Sequence, residues 1–386
     1  MSSFKSHTPV SLTIAEKLGW TLAVADAIRA TIQKSITASI YSPSTLPPKP
    51  VQVNAAVIRS MFGRTNTRQA QAKMAPSVDT YMAWFKLKPQ LGSSYEPAVE
   101  DICVDGVETR LLWIGKPWKK TDSANKKVLL YCHGGGFILP LNSGHCSFAR
   151  VIREEIEKYG QECSVAILEY SLGPEKQFPV PLHQGVLALN HLLAAGCSPS
   201  NIAMGGDSAG GHLTLSILSH IMHPHPSVPP VLPLSSPLAA AILVSPWVTF
   251  DQSAPAFAKF GREDYVTPHL LRYWGEEAIG LEAPAAELAA GRYHAEPKRA
   301  PESWWQGMDR AVKFVGTTVG GREVFLDDVL EWEKSFRAGS GVRAELYVGP
   351  IELHDGPLFD FGSGRPPSEL SLKAAQLTWE GFKSKL

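Results

Sequence analysis

Gly205-Gly206-Asp207-Ser208-Ala209-Gly210-Gly211 follows the short apolar run 201–204 and leads into a helix-like run that begins at His212. A strand that turns abruptly into a helix lifts one side chain clear of the backbone, and only small neighbours fit around such a turn. The stretch therefore reads as a nucleophile elbow with Ser208 at its tip. Alone, Gly-x-Ser-x-Gly in a chain of 32 glycines describes an ordinary glycine turn equally well. A second stretch favours the elbow. His133-Gly134-Gly135-Gly136 comes directly after the strand-like run 126–132, upstream of Ser208. Bare glycines let backbone N–H groups turn inward, so those of Gly135, Gly136 and Ala209 are candidates to receive the oxyanion formed when a serine attacks an acyl carbonyl. A phosphate cradle is the weaker reading, because no Gly-Lys-Ser/Thr follows and no dinucleotide fingerprint spans the turn.

With these two stretches in this order, the chain resembles the hormone-sensitive-lipase-like branch of the α/β-hydrolases. Glu169-Tyr170-Ser171-Leu172-Gly173-Pro174-Glu175 with Phe178-Pro179 is similar to that family's Asp-Tyr-Arg-Leu-Ala-Pro-Glu and Phe-Pro segment, and Ser245-Pro246-Trp247 matches a further block. Ser171 and Gly173 depart from the family's arginine and alanine. The resemblance runs over roughly residues 128–361. It implies an α/β-hydrolase fold, a mostly parallel sheet covered by helices with a helical cap, and a catalytic triad.

A serine nucleophile needs a base that accepts its proton near neutral pH. Among the 12 histidines, His354 stands where the family's terminal loop carries its histidine, in Leu353-His354-Asp355-Gly356-Pro357. His133 is the rival, but its place in the glycine loop suits holding that loop. The acid is expected after the seventh strand, where it accepts the other imidazole proton. If Glu323 replaces the family's first aspartate, the text 320–328 fits that block, with Asp327 as the alternative acid. Asp327 and Asp328 also suit the first turn of a helix, where the dipole favours negative charge. No His-Glu-x-x-His and no tight Cys/His cluster is present, so neither metal nor cofactor is expected.

At 386 residues and 44% hydrophobic, the chain exceeds the ~250–300 residues at which single cores stop growing, which suggests one hydrolase domain plus a cap. Residues 1–98 read as an N-terminal helical cap segment, 99–386 as the catalytic domain, and about 250–301 as a cap insertion within it. Lys+Arg and Asp+Glu both total 37, so no nucleic-acid partner is implied. Five scattered cysteines read as buried reduced thiols. No secretory h-region and no stretch near ~18 uncharged apolar residues is found, which points to a cytoplasmic protein without a transmembrane segment.

Ile28, Ile32, Ile36 and Ile40 recur at every fourth residue and mark one face of a helix over 18–40. That face is expected to pack over the active site rather than lie on a membrane. The proline cluster 43–50 must interrupt the helix, and a second helical stretch follows over about 54–86, broken near Pro76. Residues 100–114 alternate around Asp105-Gly106 and predict a hairpin. Apolar runs at 128–132, 165–169, 202–204, 239–244, 312–317 and 344–348 alternate with helical segments, the pattern of a mostly parallel sheet.

The function expected is ester hydrolysis of a small, apolar substrate, with Tyr81, Trp84, Phe85, Tyr265, Tyr273, Trp274, Trp304 and Trp305 as candidate pocket walls, most of them core. The wording around Glu323 and His354 resembles fungal members, whose relatives include esterases of polyketide and other specialised-metabolite pathways. Two alternatives stay open: a cyclase, condensation or acyl-transfer catalyst using the same site, and a silent hydrolase-like binding protein. A homodimer is also left open.

Overall fold

The computed structural model describes residues 4–7, 10–87, 96–122, 125–280, 282–362 and 365–383. Four helices precede the sheet: α1 (Ile14–Ile40), α2 (Lys49–Phe62), α3 (Thr67–Lys73) and α4 (Ser77–Leu87). The proline cluster separates α1 from α2, as its missing N–H groups require. The stretch 54–86 is three helices rather than two, because Asn66 starts a capping box with Gln69 that opens α3.

Strands β1 (Ala98–Val104) and β2 (Val107–Ile114) form a hairpin whose turn places Asp105 and Gly106 at φ 51 and 79°. Then follow β3 (Lys127–Cys132), α5 (Ser143–Glu157), β4 (Cys163–Glu169), α6 (Val180–Ala194), β5 (Ile202–Asp207), α7 (Ala209–Met222) and β6 (Ala240–Val244). An insertion carries α8 (Pro255–Phe260), α9 (Pro268–Ile279) and α10 (Ala283–Ala289). The chain closes with β7 (Phe314–Gly320), α11 (Leu326–Ser340), β8 (Arg343–Gly349), α12 (Gly356–Gly362) and α13 (Glu369–Lys383). The eight strands lie in the order β1-β2-β4-β3-β5-β6-β7-β8, antiparallel at β1/β2 and β2/β4 and parallel elsewhere. This is the α/β-hydrolase sheet.

Successive strand residues point to opposite faces, so each strand feeds two cores. Leu130 of β3 and Leu111 and Trp113 of β2 join Leu189 of α6 and Leu213 and Ile217 of α7 on one face. Leu129, Tyr131, Leu112 and Ile114 join Phe148 of α5 and Leu377 of α13 on the other. Four cysteines are buried and all five are free thiols, but Cys103 on the edge strand β1 is exposed, against the expectation of burial.

Helix α1 also departs from expectation. It starts four residues early, where Thr13 and Glu16 make a reciprocal capping box. Its isoleucine face does not cover the active site: Ile28, Ile32, Ile36 and Ile40 are exposed, and the face turned to the protein is Ala23, Ala27 and Ala38. Small alanines let two helix axes approach closely, and α1 lies along α2. Ion pairs from Glu16 to Arg68 and from Asp26 to Arg64 tie it down. Among the described residues, no helix is long and apolar enough to cross a membrane.

Candidate active site

The carboxyl ends of β3, β5, β7 and β8 converge on one cavity. Ser208 stands between β5 and α7 at φ 49°, ψ −116°, a conformation non-glycine residues rarely adopt. The turn is held open by what its neighbours lack. A Cβ on Gly210 would sit 1.9 Å from the carbonyl oxygen of Cys132 in β3, so any side chain there would drive the elbow off the sheet.

His354, on the loop after β8, brings Nε2 to 2.9 Å from Ser208 Oγ. Its Nδ1 lies 3.4 Å from Oε1 of Glu323, which follows β7. The other carboxylate oxygen of Glu323 accepts from Ser245 Oγ at 2.7 Å and from Gly320 N at 2.6 Å, fixing the group in place. All three side chains are buried. The alternative acid lies elsewhere: Asp327, in the first turn of α11, accepts from the backbone N–H of Ala256 at 2.7 Å. Geometry thus joins Ser208, His354 and Glu323 and leaves Asp327 in the helix-start position that its charge suits.

The glycine loop is clamped to the elbow by the residue before the nucleophile. Asp207 accepts from Tyr131 Oη at 2.6 Å and from Gly134 N at 3.0 Å, and its Oδ2 lies 3.2 Å from His145 Nε2. Gly135 and Gly136 adopt φ 110 and 63°, values open to glycine without strain, and both line the cavity beside Ser208. Ala209 opens α7, so its N–H belongs to the unpaired amino end of that helix. His133 stacks on Tyr170 with ring centroids 4.5 Å apart, and its Nδ1 lies 2.7 Å from Gly134 O. Burial, and after it the neighbouring His145, pushes His133 down to about 4, leaving a neutral ring within the loop.

Several neighbours of His354 were not singled out in the sequence. Asp355 Oδ2 lies 3.3 Å from Nε2, on the same side of the ring as Ser208, and 3.3 Å from Tyr265 Oη. Asp355 sits at φ 47°, its N–H donating to Ser245 Oγ. Asp264 is buried behind the ring and accepts the backbone N–H groups of His354, Val324 and Tyr265. Burial pushes Asp264 up to about 7. Burial alone would lower His354, but the carboxylates of Asp355 and Glu323, with Asp264 behind them, outweigh it and hold the imidazole up at about 9. The available signal was adjacency, since Asp207 lies inside the elbow motif and Asp355 directly after the base.

The cavity over Ser208 measures about 470 Å³. Val57, Ile58 and Phe62 of α2 line one side, Val266, Leu271 and Trp274 of the insertion another. Of the eight aromatics considered as walls, Tyr265 and Trp274 line it, while Tyr81, Trp84, Trp304 and Trp305 are buried in the core.

Residues 129–357 match the model of the family described as having the alpha/beta hydrolase fold. This chain belongs to that α/β-hydrolase family. Among its curated relatives, an acetyl-hydrolase of Streptomyces hygroscopicus is 26% identical over 230 residues, covering 59% of this chain and 68% of that protein. Esterase LipI of Mycobacterium tuberculosis is 28% identical over 211 residues, 51% of this chain and 60% of LipI. The shared segment thus spans about two thirds or less of these relatives. In fold, this α/β-hydrolase is similar to a crystal structure of an esterase from the bacterial hormone-sensitive lipase family. The TM-score is 0.58 and the identity 24%, covering 93% of this chain and 97% of that one.

Proposed function

We propose that this α/β-hydrolase is a serine carboxylic-ester hydrolase. The observation that carries the reading is Ser208 Oγ, 2.9 Å from a histidine whose far nitrogen faces Glu323, at the floor of an apolar cavity shared with Gly135 and Gly136. Ser208 attacks the acyl carbonyl while His354 takes its proton and Glu323 keeps the ring oriented. The N–H groups of Gly135, Gly136 and Ala209 receive the oxyanion. His354 then protonates the departing alcohol, and water, deprotonated by the same ring, releases the acid and restores Ser208. No cofactor takes part.

A cavity of about 470 Å³ lies in the range of small-molecule sites, ~300–1,000 Å³, and its aliphatic and aromatic walls favour an apolar acyl or aryl group. The substrate class is an apolar ester or lactone, polyketide-like in character, in keeping with the resemblance to fungal specialised-metabolite esterases. Of the segments 1–98 and 250–301, α2 with Met74 and the helices of the insertion act as the cap. The names of the acetyl-hydrolase and LipI agree with acyl-ester chemistry.

The test is a series of p-nitrophenyl esters of increasing chain length, with intact-mass detection of the acyl-enzyme and a parallel run in added alcohol. Turnover with a transient acyl adduct on Ser208 is the expected result. An adduct that passes to alcohol but not to water would replace hydrolysis by acyl transfer, and absence of both adduct and turnover would leave a binding protein.

A further inference from the structure

The exposed face of α1 is larger than a monomer needs. Ile14, Leu18, Leu22, Ile32, Ile36 and Ile40, with Ile28 among them, are between 53 and 87% exposed. They run the full 27 residues of the helix, about 40 Å at 1.5 Å per residue. At these exposures they leave on the order of 800 Å² of aliphatic surface in water, against ~300–600 Å² for the largest patch on an ordinary monomer. Each partner of a standard-size complex buries ~800 Å².

Their positions add a symmetry. In two antiparallel helices related by a two-fold axis, residue i of one faces residue j of the other with i + j constant. Centred on Ala27, Ile14 faces Ile40, Leu18 faces Ile36, and Leu22 faces Ile32. Each aliphatic side chain meets another, Ile28 approaches its own copy near the axis, and Ala25 leaves room for close contact there.

Charge agrees. Glu16 and Asp26 are half-buried and paired inward, while Arg29, which projects within the stripe between the Leu18/Ile36 and Leu22/Ile40 rows, reaches its own Asp26 at 3.4 Å. In the antiparallel pair, Arg29 also comes opposite the Asp26 region of the other copy. A lipid surface would be favoured by a basic margin, whereas here only Lys17 and Arg29 stand at the stripe and Arg29 is already paired.

We infer that the occupant of this face is a second copy of the chain, joined through an antiparallel α1–α1 pair. Among the described residues, none of α1 lines the active-site cavity, so dimerisation and catalysis are separable.

The chain should sediment as a dimer at micromolar concentration. Replacing Ile32→Glu and Ile36→Glu together, on an already exposed face, should weaken the dimer by at least about 10²-fold. Labelling of Ser208 by a small phosphonate should be unchanged. In a Cys103→Ser background, Leu18→Cys combined with Ile36→Cys should cross-link two copies, whereas Leu18→Cys alone should not, since its copy lies about 27 Å along the helix. A monomer at 50 μM, a dimer that survives the double glutamate change, or absence of the 18/36 cross-link would each overturn the inference. A monomer whose stripe instead binds phosphatidylcholine vesicles would transfer the face to lipid.

Discussion

Both ring nitrogens of His354 have a partner, and three carboxyl groups crowd the ring. A general base works only as the neutral ring. Because Asp355, Glu323 and Asp264 hold His354 above its ordinary value of 6.5, at about 9, the acid limb of kcat/KM should lie between those two values. Burial also pushes the Asp355 carboxyl up, so it and His354 titrate as a pair; Asp355→Asn removes that group 3.3 Å from Nε2, and the limb should move to lower pH. An unmoved limb would mean that Asp355 only shapes the loop. Glu323→Gln keeps the bonds' geometry on one side but loses the charge facing Nδ1, and should lower kcat by roughly 10²–10⁴-fold. Asp327→Asn should cost far less, since the amide oxygen can still accept from Ala256 N and no imidazole faces it; steady-state kinetics on the two variants ranks them, and the opposite order would move the acid role to Asp327. Ser208, His354 and Glu323 were legible because each stands at a position that the order of motifs marks out. Asp355 left only its adjacency to His354, since its place beside the ring depends on a turn at positive φ, and Asp264 left nothing to read, because it reaches the backbone of His354 only through the fold, 90 residues away in sequence.

At the scale of elements, the elbow and the glycine loop behave as one unit because Asp207 binds both. Asp207→Ala would leave Tyr131 Oη and Gly134 N buried without an acceptor, at a cost of about 3 kcal/mol. Calorimetry should show a lower Tm, and phosphonate labelling of Ser208 should slow because Gly135 and Gly136 lose their anchorage. Unchanged labelling in a folded variant would separate the loop from the elbow. The hairpin at Asp105-Gly106 and the alternation of strands and helices were readable, since period two and turn chemistry are local properties. β7 runs from Phe314 to Gly320 rather than over 312–317, a boundary set by pairing with β8. The orientation of α1 was misread for a physical reason. Periodicity finds a helix with an aliphatic face, and burial is normally assigned to the largest residues. Here the alanines face inward because their size permits contact with α2.

For the molecule as a whole, the cavity is closed by two chain segments far apart in sequence, α2 and the insertion after β6, over a floor made by the sheet. Trp274 of the insertion joins them, with Phe62 of α2 packed edge-on to it at 5.3 Å, and it lies against the glycine loop, where a Cβ on Gly136 would come within 2.4 Å of its ring. Trp274→Ala should therefore enlarge the cavity and shift chain-length preference toward longer acyl groups, read as a rise in kcat/KM for long esters relative to short ones. No shift would place the acyl group elsewhere. The central claim, that Ser208 is the nucleophile of an ester hydrolase, is tested most directly by intact-mass and peptide analysis after treatment with a serine-directed phosphonate, alongside ester turnover of the native chain and Ser208→Ala. The expected result is one adduct per chain, located on Ser208 and lost in Ser208→Ala, whose turnover falls by about 10³-fold or more. An adduct on another residue, or near-normal turnover by purified Ser208→Ala, would contradict it.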